Sequence, residues 1–287
     1  MRSVSVVIPV FNRAHSIRAA VDSALAQACD FPVQVIVVDD GSSDGLGPVL
    51  SHYGNRILLI CHPRNLGAAA ARNTGVAHAT GDLVAFLDSD DTWLPDKLAC
   101  QAAAMTDNGW RASCTAFHLD RADGSRIVAP PLETGTLGVG DIAWGCFVSP
   151  GSTLMFERAL FSEIGALNTT LGRLEDWDWL LRYTRRYPLG FLQQPLARVL
   201  ASIHRNAQPV LAAVDVMRAT HAPMLSREQR RYFMAALDFE CAAALFRAGR
   251  YLPAGVAMLK SVIRARADHR GLAVVLHNRR KSSAAAF

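Results

Sequence analysis

The sequence predicts an α/β fold: a Rossmann-like, mostly parallel sheet flanked by helices, followed by a helical extension at the carboxyl end. Three observations carry that expectation. Short apolar runs at Val4 to Val10, Val33 to Val38, Arg56 to Cys61 and Leu83 to Leu87 alternate with segments of helical period. Three of these runs end in polar or acidic turns, namely Phe11-Asn12-Arg13, Asp39-Asp40-Gly41-Ser42-Ser43-Asp44 and Asp88-Ser89-Asp90-Asp91. Beyond Ala207 the strand signal gives way to helical patterns alone. Strands alternating with helices imply right-handed crossovers and parallel neighbours. Open sheets of this kind bind ligands at the carboxyl ends of their strands, so the three turns are expected to converge on one cleft.

Taken in chain order, the first strand leads through Phe11-Asn12-Arg13 into a helix expected over 14–28. The second strand stops at the acidic turn, and Arg56 to Cys61 supplies the third. Asn65-Leu66-Gly67 opens an alanine-rich helix through Ala79 that carries Arg72 and Asn73. Leu83 to Leu87, bounded by Gly81-Asp82, has the unbroken apolar character of a strand buried on both faces, and it runs straight into acids. A helix is expected from Pro95 to about Asp107. A hairpin follows, from Ala112 to Leu119, turning at Ala122-Asp123-Gly124-Ser125 and returning over Ile127 to Ala129. Pro130-Pro131 begins an irregular stretch to Gly151, in which Trp144 and Phe147 are candidates for core packing. Ser152 to Phe156 reads as a strand, and Arg158 to Ile164 as a helix stopped by Gly165. Glu175-Asp176-Trp177-Asp178 starts another helix at its acids, and Gly190 to Gln193 and Val199 to Ile203 are runs that close the sheet. Helices are expected over about 209–221, 227–248 and 252–267, the last two forming an αα-hairpin.

Composition bounds the function. The 287 residues suffice for one large domain or two smaller ones, and 51% hydrophobic with 19% charged residues is ordinary for a folded soluble protein. No apolar stretch reaches the ~20 residues of a membrane span, and the amino terminus enters a strand without a signal pattern, so a cytoplasmic location is expected. The six cysteines show no C-x-x-C pairing and are read as reduced. The net charge of +5 gathers late: Arg247, Arg250, Lys260, Arg264, Arg266, Arg270, Arg279, Arg280 and Lys281 face a single acid, Asp268. Such a segment lies on an anionic membrane, grips nucleic acid or forms a solvated helix face, and the lack of interleaved aromatics counts against nucleic acid. Neither G-x-G-x-x-G after the first strand nor G-x-x-x-x-G-K-[ST] occurs, which removes the dinucleotide and P-loop readings and leaves phosphates to be held by metal.

Two acidic knots are the candidates for chemistry. Along a strand side chains alternate, so Asp88 and Asp90 are expected to point the same way, with Asp91 beside them. Three like charges raise one another's pKa, and Mg²⁺ or Mn²⁺ relieves them by accepting one or two carboxylates along with phosphate oxygens. The other reading makes Asp91 or Thr92 a helix cap and the rest solvated turn residues. In the second knot, Asp178 has Arg182 four residues on as a partner. Asp176 has no such partner, which suits it as a general base, a helix-capping role being the alternative. None of the nine histidines forms H-E-x-x-H. His204, just past a run that returns to the cleft, is the candidate metal ligand, against an ordinary surface or core histidine.

The ordered set V-S-V-V-I-P-V-F-N-R, V-V-D-D-G-S-S-D, N-L-G-A-A-A-A-R-N-T-G, F-L-D-S-D-D and L-E-D-W-D-W-L-L-R resembles the family 2 glycosyltransferases over residues 3–205. That resemblance implies a GT-A fold and an inverting enzyme that takes a nucleotide-sugar donor, UDP by family habit, with Mn²⁺ or Mg²⁺ as cofactor. It further implies that Pro9 and Phe11 line the base pocket, that Asp39 bonds the base edge, and that Arg72 lies beside the nucleotide. Asp88, Ser89 and Asp90 match the D-x-D motif, with Asp90 on the metal and Asp88 near the ribose and the metal. Asp176 matches the catalytic base, and His204 falls near the diphosphate. Glu175 and Trp177 are expected on the acceptor side, Glu175 orienting a sugar hydroxyl or the helix start, and Trp177 with Trp179 offering a stacking face, with core packing the alternative for at least one of the two.

Residues 1–206 are then the glycosyltransferase domain, with a nucleotide-sugar half (1–100) and an acceptor half (101–206), and 207–287 are the helical extension. The expected function is glycosyl transfer to a hydroxyl of a glycan or lipid-linked acceptor in surface polysaccharide biosynthesis. The basic helices would hold the enzyme peripherally on the inner membrane face. Two other classes stay open: a catalytically silent nucleotide-sugar or glycan-binding subunit of the same fold, and a nucleotidyltransferase. Against the last, Pro9 to His15 lacks a glycine-rich, lysine-bearing loop.

Overall fold

A computed structural model describes residues 3–121, 123–201 and 205–265. Strands β1 (Val4–Val10), β2 (Val33–Asp39), β3 (Leu58–Cys61) and β4 (Leu83–Phe86) pair in parallel, in the spatial order β3-β2-β1-β4. Helices α1 (Ile17–Leu25), α2 (Leu46–Ser51) and α3 (Ala68–Ala77) connect them. Both faces of this sheet are covered, which is why its strands are apolar without interruption. Val4, Val6, Ile8 and Val10 enter one core with Val21 and Leu50, while Val7 faces the other with Ala71 and Val76.

The second half comprises β5 (Thr92–Trp93), α4 (Lys97–Asp107), β6 (Ala112–Asp120), β7 (Arg126–Ala129), β8 (Gly135–Leu137), α5 (Val139–Ile142), α6 (Pro150–Thr153), β9 (Met155–Glu157), α7 (Ala159–Ile164), α8 (Glu175–Thr184) and β10 (Leu189–Leu200). It extends the sheet as β4-β9-β6-β10-β5, with β7 on β6 and β8 on β10. The parallel order holds across β3-β2-β1-β4 and between β6 and β10, whereas β5, β7 and β8 pair antiparallel with their neighbours and a further reversal falls beside β4. There β9 runs antiparallel to both β4 and β6. It follows directly on α6, which lies at the carboxyl end of β4, so a one-residue connection can only send it back along the sheet.

Three helices complete the described chain: α9 (Gln208–His221), α10 (Arg227–Arg247) and α11 (Tyr251–Ala265). Val210, Val214 and Met217 of α9 and Phe233 and Leu237 of α10 join Trp177 and Leu180 of α8 in one apolar core. Across this packing His221 Nε2 meets Asp178 Oδ1 at 2.8 Å, and Arg182 Nη2 donates to Asp178 Oδ2 at 2.8 Å. Burial pushes the Asp178 carboxyl up, but His221 and Arg182 outweigh it and hold it below its ordinary value. Among the described residues no helix is long and apolar enough to cross a membrane.

Several boundaries differ from the sequence reading. The third strand starts at Leu58 because Gly54–Arg56 wind into a 3₁₀ turn. The first helix starts at Ile17, since residues 14–16 are a turn. Ser152 belongs to α6, and the strand expected from it begins only at Met155. The irregular stretch contains β8 and α5, and Trp144 stacks on Tyr232 of α10 at 3.5 Å between ring centroids. Residues 202–203 of the closing run, His204 and the basic residues from Arg266 onward lie outside the described residues.

Candidate active site

The acids after β4 do not continue the strand. The strand ends at Phe86, and Asp91 N donates to Asp88 O at 3.1 Å, so Asp88 to Asp91 form a turn and strict alternation no longer applies. Each of the three carboxylates consequently meets a different environment. Asp91 is buried; its Oδ2 accepts from Ser152 Oγ at 2.5 Å and its Oδ1 from Leu200 N at 2.8 Å. Burial and the Asp88 charge push the Asp91 carboxyl well above its ordinary value, against the pull of those two donors. Asp90 lies on the mouth of the cavity with Arg13 Nη2 at 3.6 Å. Asp88 accepts from Arg72 Nη2 at 2.6 Å.

Arg72 holds the site together. It sits inside α3, 5% exposed, and its second amino group donates to Glu175 Oε1 at 2.7 Å. Burial opposes its charge, yet Asp88, Glu175 and Asp176 more than compensate and raise its pKa. One guanidinium thus ties the turn after β4 to the first residue of α8, Glu175 lying 103 positions beyond Arg72. Asp176, the next residue, carries no direct ion pair; its Oδ1 accepts from its neighbour Trp177 N at 2.7 Å. Burial, then the adjacent Glu175 charge, push the Asp176 carboxyl up to about 6, with Arg72 pulling it back.

These groups line one cavity of about 490 Å³. Pro9, Phe11 and Arg13 enter it from the end of β1, Arg72 from α3, Asp88, Ser89, Asp90 and Asp91 from the turn, Ser149 and Gly151 from α6, and Arg173, Glu175 and Asp176 from the start of α8. Phe11 is exposed, as a residue offering a face to a ligand would be. Asp40 lines the cavity where Asp39 does not. Asp39 Oδ1 accepts from Ser42 N at 2.8 Å and closes its own turn, while Asp40 is buried against Leu66 N, Gly67 N and His62 Nδ1. Gly41 in that turn has φ +78°, and a Cβ there would come within 2.6 Å of the Arg64 backbone, so no other residue fits.

The described chain has three non-glycine residues with positive φ, and all three flank this cavity: Asn12 (φ 51°), Ser149 (φ 51°) and Leu174 (φ 66°). Left-handed backbone costs about 1–2 kcal/mol per residue, least for Asn, and such strain clusters at functional sites. Leu174 immediately precedes Glu175 and Asp176, so its conformation sets how α8 presents its acids.

The acceptor-side expectation for Trp177 is corrected. Its ring is fully buried, Nε1 donates to Ile142 O at 2.7 Å, and it packs against Phe233, leaving no face for a sugar. Glu175 reaches the cavity wall, but its carboxylate is engaged by Arg72. For Asp88, one oxygen is bonded to Arg72 and the other lies where a Cβ on Gly151 would stand at 2.4 Å, so Asp90 is the acid of the turn left to meet a cation. Among the described residues no group of three His, Cys, Asp or Glu side chains is arranged to hold a metal ion. Sequence reasoning placed the Phe11-Asn12-Arg13 turn on the cleft without giving Arg13 a role, and it had not singled out Ser152, Gly151 or Arg173. Arg13 follows Phe11 by two positions and was within reach of the strand-end rule. Ser152 and Gly151 arrive from some sixty residues away on the helix preceding the reversed strand.

A Rossmann-like sheet with a D-x-D turn and an acid-led helix on one cavity is the GT-A architecture. The crystal structure of Staphylococcus aureus TarS 1-349 in complex with UDP shares it, with a TM-score of 0.60 at 18% identity over 97% of this chain and 91% of that one. The profile of Glycosyl transferase family 2 matches residues 5–165. The chain is 35% identical over 187 residues to the putative teichuronic acid biosynthesis glycosyltransferase TuaG of Bacillus subtilis, covering 62% of this chain and 72% of that one. It is 41% identical over 106 residues to the Escherichia coli UDP-Glc:alpha-D-GlcNAc-diphosphoundecaprenol beta-1,3-glucosyltransferase WfgD, covering 37% and 42%. The chain spans only 32% and 33% of the length of two rickettsial proteins, each described as an uncharacterized glycosyltransferase, that it matches at 31% and 36% identity. It belongs to glycosyltransferase family 2.

Proposed function

We propose that the protein moves a sugar from a nucleoside-diphosphate sugar, a UDP-sugar first, to a hydroxyl of a glycan or lipid-linked acceptor in surface polysaccharide biosynthesis. The observation that carries this reading is the single cavity that gathers Phe11, the D-x-D turn and Asp176 from three distant parts of the chain. The relatives point the same way: WfgD is named for UDP-Glc and a diphosphoundecaprenol-linked acceptor, TuaG for teichuronic acid biosynthesis, and TarS was crystallised with UDP and UDP-GlcNAc.

In this reading the base stacks on Phe11 beside Pro9, and Asp39, outside the cavity lining with Oδ1 held by Ser42 N, turns its other carboxylate oxygen to the base edge from the end of β2. Arg13 faces the leaving diphosphate next to Asp90. The oxygen-only donors of the turn suit Mn²⁺ or Mg²⁺, which Asp90 would hold together with the phosphates of the donor. When bound, such a cation offsets charge building on the departing diphosphate. Asp176, its carboxyl raised by burial to about 6, takes the proton of the acceptor hydroxyl as that oxygen attacks the anomeric carbon from the face opposite the leaving group. Inversion follows from that single displacement. Arg72 pairs with Glu175 and Asp88, whereas Asp176 beside them has no cation bonded to it.

The carboxyl-terminal hairpin supports a peripheral membrane location at the cytoplasmic face. Leu252, Val256, Leu259 and Ile263 are exposed on α11, forming a stripe opposite the packed Ala254, Ser261 and Ala265. Arg227, Arg230, Arg231 and Arg264 line a cavity at the end of the same hairpin. An apolar stripe beside basic residues is the form of an interfacial helix on anionic lipid.

A donor panel assayed for nucleotide release with Mn²⁺ and an acceptor mixture tests the reading. Turnover with one nucleotide sugar, lost in Asp90→Ala and Asp176→Asn while donor binding survives in the latter, is expected. Donor binding without turnover across the panel would instead identify a silent binding subunit.

A further inference from the structure

A second cavity, of about 520 Å³, adjoins the active site and shares Arg173 with it. Three arginines from separate segments line it: Arg173 before α8, Arg205 after β10, and Arg247 in the last turn of α10. Asn206 adds an amide, Val210 and Ala244 are apolar wall, and none of the lining residues is acidic. Arg247 Nε is buried without a hydrogen-bond partner. Burial lowers the pKa of this guanidinium; Glu240 works against that, and the charge of Arg173 adds to it. Arg173 and Arg247 repel each other at a hollow whose lining carries no acid, an arrangement an anion relieves, and the guanidinium fork matches phosphate geometry. Arg173 stands three residues before Asp176, which puts their backbones within about 11 Å.

We infer that this cavity is a subsite for a diphosphate on the acceptor, seated among Arg173, Arg205 and Arg247 so that the attached sugar presents its hydroxyl to Asp176. The inference rests on the transferase reading and extends it. Donor phosphates belong at the D-x-D turn beside Arg13, whereas this hollow opens from the wall that carries the general base. Its far side is built from α9 and α10, the helices that lead to the basic, apolar-striped hairpin, so a diphosphate here would lie between the reacting sugar and a lipid-facing surface.

Calorimetric titration of the full chain with inorganic pyrophosphate, at saturating UDP, tests the site directly. Pyrophosphate is expected to bind although the donor site is filled. Arg247→Gln should weaken it at least about tenfold, Arg247→Lys should restore part of the affinity, and UDP affinity should stay constant, which also reports an intact fold. Failure of pyrophosphate to bind beside UDP, or loss of UDP affinity in Arg247→Gln, overturns the inference. If UDP itself does not bind, the transferase reading fails, and the same titration without UDP judges this cavity alone: an unchanged pyrophosphate affinity in Arg247→Gln refutes it. In transfer assays, Arg247→Gln should raise KM for acceptors carrying a prenyl or phenyl diphosphate and leave that of the methyl glycoside unchanged. Equal effects on all three overturn the assignment. A prenyl preference assigns the subsite to a lipid-linked substrate, and equal use of prenyl and phenyl assigns it to the diphosphate itself.

Discussion

Arg72→Met removes the one cation that bridges both acidic knots. The Arg72–Glu175 pair is nearly dry, its side chains 6% and 11% exposed, so losing the guanidinium strands a buried carboxylate. Breaking such a pair costs about 3–5 kcal/mol. The Asp88 side chain is 37% exposed, and solvent screening reduces its share to at most about 1 kcal/mol. Urea unfolding at pH 7 should therefore lose about 3–5 kcal/mol in the single variant. Arg72→Met/Glu175→Gln should recover more than half of that loss, because the stranded charge is gone. The pH profile of kcat/KM supplies a second readout. Arg72 pulls the Asp176 carboxyl down toward about 6, so without it the acid limb should move to higher pH. A loss below about 1 kcal/mol, or strictly additive single variants, would refute the view that the arginine is the clasp of the site.

The remaining predictions concern the base and the hairpin. The Asp176 carboxyl is raised from 3.8 to about 6, so the unfolded chain gives up this proton first and stability is lost as pH climbs between those values. By pH 7 the deficit reaches up to about 3 kcal/mol. Asp176→Asn should accordingly be more stable than the parent at pH 7, lose that advantage toward pH 4 in urea titrations, and be inactive; equal gains at both pH values would contradict it. In the parent, kcat/KM should fall about tenfold per unit below pH 6. On α11, Leu259→Asp with Ile263→Asp should abolish flotation with anionic liposomes while donor turnover in solution continues, and undiminished flotation would remove the membrane assignment.

How far the sequence alone leads can be judged residue by residue. Strand-end logic and the motifs brought Pro9, Phe11, Asp88, Asp90 and Asp176 to one place, because parallel strands flanked by helices leave their carboxyl ends as the shared rim. Trp177 was misplaced although a signal existed. Trp177, Leu180, Leu181 and Thr184 follow helical spacing and mark the core face of α8, a quarter turn from Asp176. The left-handed Leu174 and Ser149 carry no such signal, since residue preference argues against both conformations. Nor did spacing announce Ser152. Its hydroxyl reaches Asp91 only because α6 lies across the carboxyl end of β4, and that follows from sheet order, not from local pattern.

The hydrogen bond from His221 to Asp178 bears on how this chain can be cut. Asp178 is two residues from Asp176, the proposed general base, and its carboxylate is satisfied from behind by a histidine lying past residue 206. A fragment ending at that point would uncover the hidden side of the same helix, with the Trp177 ring and an ionised acid turned toward water. Helices α9 and α10 therefore brace α8 from behind, and trimming them in search of a minimal catalyst would loosen the turn that carries Asp176, the proposed base.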